Sequence, residues 1–338
     1  MTDPEFEQGL KFENTAAFSY RRRKRDRQDT IFNTLCLIST MLGVAFLLTV
    51  MLAVLFRVLF PVDDSTEVLL TTGQRFRQIT EFFGRLLKNG PAIEPAEVGY
   101  KVGLVGSLWL LFFVVLVAVP VSVGAAVFLE EYCTDGKIRS LIQTNTSNLA
   151  GVPSIVYGLL GLAIFQRGFG YKQLALGPCL LAGALTLALL ILPVILISTQ
   201  ESLRAIPKSM RYAALALGAT RWQLIRDHLL PVALPGILTG SILGISRVIG
   251  ETAPLLMVGA AASLLKPPQG PFSRYTALPV EIYFNAKEPD PAYSTVAAGG
   301  ILILLVLLLC MNFFAITIRN RQSAKISGTI TRPANPSR

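Results

Sequence analysis

The chain has 338 residues, of which 52% are hydrophobic and only 15% charged. A soluble domain carries about one quarter charged residues, and here the apolar residues gather into long runs, which excludes an ordinary soluble core and points to an integral membrane protein. The net charge of +10 would suggest a nucleic-acid partner in a soluble chain, but because the charges flank apolar runs they read as topology and contact with lipid headgroups.

Six apolar segments follow one another, at 31–60, 102–128, 149–166, 178–198, 236–262 and 292–318. Each approaches or exceeds the ~20 residues a helix needs to cross hydrocarbon, the third being the shortest. The expectation is an all-α membrane protein with six transmembrane helices. Ahead of the first lies RRRKRDR (21–27), a basic block that holds the N-terminus in the cytoplasm. No small-x-small site follows Phe60, so the first run does not read as a cleaved signal. Six spans then put both termini inside. The basic residues agree: segments placed inside carry 19 Lys and Arg against 10 outside, the bias that sets orientation.

This divides the chain into a basic cytoplasmic tail (1–30), a first span with a long outer loop (31–101), a transmembrane core (102–318) that contains the loop 199–235, and a C-terminal tail (319–338). The tails are polar and bury too little apolar surface to offset ordering. In the outer loop, QRFRQITEFFGRLLKNG (74–90) repeats Phe76, Ile79, Phe83 and Leu86 or Leu87 at helical spacing and stops at Asn89-Gly90. This predicts an amphipathic helix lying on the membrane surface or against the spans.

The loop 199–235 has structure of its own. Pro207 suits the start of a helix running to about Leu217, Gly218 supplies a left-handed stop, and Thr220 caps a second helix, RWQLIRDHLL, ended by Pro231. A basic helix-turn-helix can read DNA, but a unit only a few residues from a span at each end has little reach for a duplex. A docking surface for a cytoplasmic protein fits better.

The fifth segment carries Gly236, Gly240 and Gly244 at intervals of four, a stripe that lets another helix approach closely. The same face continues to Arg247 and Glu251. At 1.5 Å per residue from Gly236, Arg247 lies ~16 Å in, about mid-membrane. A charge there costs at least ~2.5–3.5 kcal/mol, and buried ion pairs often fail to repay their desolvation, so the pair reads as functional. The planar fork of Arg247 suits an oxyanion, and Glu251 would keep the anion from binding too tightly to leave. Pro254 lacks the N–H that would reach the Gly250 carbonyl, which predicts a kink. The four cysteines (Cys36, Cys133, Cys179, Cys310) show no metal or disulfide spacing, His228 stands alone, and no P-loop occurs. A membrane-embedded enzyme would pair Glu251 with Glu130 or Glu131 of FLEEYCTDGK, but no nucleophile–base set accompanies them, and such carboxylates more often face water or cap a helix.

YAALALGATRWQLIRDHLLP (212–231) resembles the coupling loop of bacterial ABC importer permeases, whose pattern is EAA, three residues, Gly, nine residues, I-x-L-P. Ala213, Ala214, Gly218, Leu230 and Pro231 match in register, while Tyr212 stands where the family has Glu and His228 where it has Ile. NLAGVPSIVYGLLGLAIF (148–165), ISRVIGETAPLLMVGA (245–260) and FSRYTALPVEIYFNAKEPDPAYSTVAAGGILILL (272–305) look like the phosphate importer permeases, the last being closer to the PstA-type subunit than to its PstC-type partner. The resemblance covers roughly residues 100–320. It implies the type I ABC importer permease fold with N-in/C-in topology, in the bacterial inner membrane. It further implies a pore shared with a PstC-like second permease, a PstS-like extracytoplasmic protein that delivers phosphate, and a dimer of PstB-like ATPases docked on the coupling loops. On that view this chain has no catalytic residue, metal or cofactor, and the partner ATPase holds ATP and Mg2+. A guanidinium accepts molybdate or sulfate as readily, so another oxyanion, or the PstC-type role, is the alternative.

Overall fold

In the computed structural model, backbone is described for residues 4–59, 72–133 and 136–330, and side chains for 30–59, 77–133 and 136–322. Every regular element among the described residues is helical, with no strand among them. They form two compact units, 1–57 and 58–338.

The first unit is almost wholly one helix, α1 (Pro4–Leu59), of which Thr30–Leu59 is apolar enough to span a membrane. Leu35, Phe46 and Leu52 are exposed along it, as suits a helix surrounded by lipid.

The second unit centres on α3 (Lys101–Val127), α6 (Leu180–Arg204), α9 (Leu230–Ile249) and α12 (Pro291–Ile330). Each belongs to a stretch long and apolar enough to span. α6 is apolar on every side and the most buried of these. Its Leu187, Ile191 and Ile195 meet Leu110, Val114 and Ala118 of α3 in the main core. Ser122 of α3 donates to the Leu192 carbonyl across that interface (3.1 Å).

α9 lies antiparallel to α6, and the glycine stripe makes the contact. A Cβ at Gly236 would meet Ser202, one at Gly240 would meet Ser198, and one at Gly244 would lie 3.3 Å from Ile195. Ser198 also donates to the Gly236 carbonyl (3.4 Å). The stripe therefore packs as its spacing predicts.

The predicted third and fifth segments need correction. The run 149–166 is not one straight rod. α4 (Lys137–Ala150) and α5 (Ser154–Gly161, prolonged by a π-helical turn to Gln166) meet at a 107° bend. Gly151 and Pro153 lie at the break, and proline disfavours a helical conformation in the residue before it. Ser154–Gln166 alone is shorter than the ~20 residues of a full span. The described residues thus hold five spanning helices, or six if the bent pair is one. The fifth helix begins and ends earlier than 236–262. It runs continuously from Arg221 to Ile249.

α2 (Thr72–Lys88) is the expected amphipathic helix. Leu86 is fully buried, and it and Phe82 sit against Gly299 of α12, while Leu87 faces outward. Burying one such leucine contributes about 1.5–3 kcal/mol. The side chain of Phe76 lies outside the described residues. The backbone of both tails continues the flanking helices, α1 from Pro4 and α12 to Ile330. Extending an existing helix needs no new nucleus.

Candidate functional site

The loop 199–235 folds around a helix stop. α7 (Lys208–Ala216) follows Pro207, and Gly218 sits at φ +85°, a left-handed conformation that glycine adopts without strain. The Gly218 N–H reaches the Leu215 carbonyl (3.0 Å) and the Ala219 N–H the Ala214 carbonyl (3.1 Å), the paired bonds of a Schellman stop. Thr220 then caps α8 (Arg221–Gln223) in a reciprocal box with Gln223.

Pro231 does not end this second helix. The residues Leu224–Leu229 form a π-helical stretch that passes into α9 without a break, and this irregular turn just before Pro231 accommodates its missing N–H within the continuous helix.

The five predicted docking residues do not share one surface. Ala213 and Gly218 are exposed, as is Pro231, but Ala214 is buried against Leu224 and Ile225, and Leu230 is half-buried beside the same cluster. The small side chain of Ala214 thus lets α7 settle on its own neighbours. The most exposed large apolar side chains of the loop are Leu217 (90% exposed), Tyr212 and Trp222.

The acids at the end of α3, expected to face water or cap a helix, do neither. Glu130 and Glu131 lie in a π-helical turn, Phe128–Tyr132, with side chains only 6% and 11% exposed. Glu130 accepts from Arg139 of α4 (2.8 Å) and from Gln200 (3.0 Å) and Arg204 (2.7 Å) of α6. Glu131 accepts from Nε (3.2 Å) and Nη2 (3.0 Å) of Arg211 in α7. A carboxylate so engaged is no free base, which removes the support for an enzymatic pairing with Glu251. The signal in the sequence was present: two adjacent acids close one span, Arg204 closes another, and Arg211 follows in the loop.

Arg247 and Glu251 come together, but not in mid-helix. Arg247 occupies the last turn of α9, which stops at Ile249, and Glu251 follows the cap at Gly250. Arg247 Nε lies 3.4 Å from Glu251 Oε1, with the two side chains 43% and 19% exposed. The terminal nitrogens of Arg247 have no hydrogen-bond partner among the described residues. One residue earlier, Ser246 bonds Asn312 and fixes this end of α9 to α12. The break precedes Pro254, which lies buried in the first turn of α10 (Ala253–Met257) against Gly158 of α5. The predicted kink is therefore a full helix end, four residues before the proline.

Sequence reasoning did not single out Glu281, in α11 (Leu278–Lys287), outside the candidate spans. It is 3% exposed, and neither carboxylate oxygen has a hydrogen-bond partner among the described residues. It sits against Gly103 of α3, where a Cβ would fall 2.6 Å from its Cδ. Burial pushes its carboxyl up to about 8, a rise that the nearby Gly103 backbone only partly offsets.

Residues 118–323 match the family model described as binding-protein-dependent transport system inner membrane component. The chain is 36% identical over 218 residues to the phosphate transport system permease protein PstA 1 of Mycobacterium tuberculosis, covering 64% of this chain and 69% of that protein. To the probable ABC transporter permease protein YqgI of Bacillus subtilis it is 34% identical over 231 residues, covering 64% and 76%. Among solved structures, a bacterial alginate ABC transporter superposes with a TM-score of 0.60 at 14% identity, over 88% of this chain and 96% of that one. That likeness concerns the fold alone. The family match spans more than half of the chain, across α6, the loop and α9: the chain belongs to the binding-protein-dependent transport system inner membrane components, the permease subunits of ABC importers.

Proposed function

We propose that this chain is the PstA-type permease of an importer of inorganic phosphate. It crosses a bacterial inner membrane six times with both ends in the cytoplasm, the bent α4–α5 pair being one crossing. The observation that carries the reading is the guanidinium of Arg247. It is 43% exposed at a helix break, held by Glu251 through Nε, with its terminal nitrogens unclaimed among the described residues. Contrast Arg211, whose three nitrogens all bond within the protein. An arginine with unclaimed donors can receive an oxyanion in planar, two-point contact. Glu251 competes for the same guanidinium and keeps occupancy short, as conduction requires.

The exposed apolar side chains of Tyr212, Leu217 and Trp222 support a docked ATPase, which would bring ATP and Mg2+. A second permease completes the pore, and an extracytoplasmic protein delivers the anion. Kinship to PstA proteins supports phosphate as that anion. This chain does no catalysis of its own.

The test is uptake of labelled phosphate by the complex reconstituted in vesicles, in competition with sulfate and molybdate. Phosphate alone should compete. Equal competition by either other anion would assign a different substrate.

A further inference from the structure

The geometry points to Arg211 as the positioning residue that ties movement of the docking loop to the transmembrane core, with Glu131 as its counterpart. This rests on the reading of 199–235 as the ATPase-docking loop.

Arg211 projects from α7 into the protein and is 19% exposed. Its guanidinium joins three pieces of structure. Nε and Nη2 donate to Glu131 Oε1, at the π-helical end of α3. Nη2 also donates to the Leu203 carbonyl and Nη1 to the Ile206 carbonyl, both 2.8 Å, where α6 ends. The last carbonyls of a helix lack intrahelical donors, so Arg211 caps α6 while it pairs with α3. Lysine cannot copy this: its ammonium is a point charge without the planar fork.

The neighbouring acid makes the end of α3 a fixed anchorage. Glu130 is held by Arg139 of α4 and by Gln200 and Arg204 of α6. Adjacent carboxylates on one turn thus point to different partners, Glu130 toward α4 and α6, Glu131 toward α7. By contrast, the apolar contacts of α7 with this region pass through the small side chain of Ala214. A displacement of α7 is passed to α6 by the three-residue link 205–207 as well as by the two carbonyl bonds, whereas among the described residues its one polar tie to α3 is the Arg211–Glu131 ion pair. Because few groups are exposed, this linkage is barely screened by salt.

The experiment uses the complete reconstituted importer with Glu131→Gln, Arg211→Gln and the double variant. It measures co-purification of the ATPase and the number of phosphate ions imported per ATP hydrolysed. The expected result is an ATPase that still co-purifies with Glu131→Gln, and an import-per-ATP ratio reduced about tenfold. The double variant should be no worse than the poorer single, the mark of residues acting as a unit. An unchanged ratio, or losses that multiply in the double variant, would overturn the assignment. So would failure of all three to assemble, which would mark the pair as a folding element alone. If the ATPase does not co-purify even with the unaltered chain, the docking reading fails instead, independently of Arg211.

Discussion

Gly240 of α9 faces Ser198 of α6 so closely that a single added Cβ would collide with the serine side chain. The two spans are held by backbone proximity and by the Ser198 bond to the Gly236 carbonyl, since lipid supplies no hydrophobic drive between helices. Gly240→Leu should therefore destabilise the permease by about 1–3 kcal/mol, the range for overpacking. Thermal unfolding in detergent reads this, and Gly250→Ala, at a site open around the glycine, serves as the control. A Tm for Gly240→Leu equal to that of the control would remove the close-packing argument.

Arg247→Ala should abolish phosphate uptake while the complex still assembles and hydrolyses ATP. Arg247→Lys keeps the charge without the fork and should retain only a small part of the rate. Uptake at the unaltered rate in Arg247→Ala would sink the anion-path assignment.

Leu217 is 90% exposed beside the Schellman stop, an apolar side chain that the described residues leave uncovered. Leu217→Asp should lower the amount of ATPase recovered with the permease by about tenfold, a loss of ~1.4 kcal/mol, and leave the fold intact. Gly218→Val acts differently. It forces a β-branched residue to φ +85° and should cost about 1–3 kcal/mol of local stability. Amide exchange in 208–230 would separate the two effects.

Glu281 links stability to pH. Its carboxyl is raised in the folded protein to about 8, so across the window from the ordinary carboxylate value to that point the folded state holds a proton the unfolded state has released. Stability is then full below the ordinary value, falls as pH rises through the window, and levels off above it. Melting followed from about pH 5 to about pH 9 should show this decline. Glu281→Gln, neutral throughout, should flatten it. An identical decline in the variant would assign the pH dependence to other groups.

The features legible in the sequence were those set by short-range rules. The glycine stripe, the Gly218 stop, the Thr220 cap and the α2 amphipathic face each depend on spacing within one helix, and each stands where spacing placed it. The errors came from proline and from distance. Pro231 and Pro254 read as sites of disruption, yet Pro231 is carried inside a continuous helix after a π-helical turn and Pro254 sits in the first turn of α10. The actual break lies at Gly250, ahead of the proline, where α10 packs on Gly158 of α5, and the 107° bend lies at Gly151–Pro153, inside a run whose apolar composition hid it. Glu131 and Arg211 are 80 positions apart, and no periodicity connects residues on different elements. Glu281 was hidden for a similar reason: it is remarkable only because Gly103, far earlier in the chain, leaves room for it.

The helix that runs from Arg221 to Ile249 has one further implication. At 1.5 Å per residue it is roughly 40 Å long, with Trp222 at one end and Arg247 at the other. No loop interrupts it, because the π-helical stretch and Pro231 are absorbed without a gap. The outward-facing tryptophan and the half-exposed arginine thus stand on one unbroken rod, clamped to α6 by its glycines and to α12 by the bond from Ser246 to Asn312.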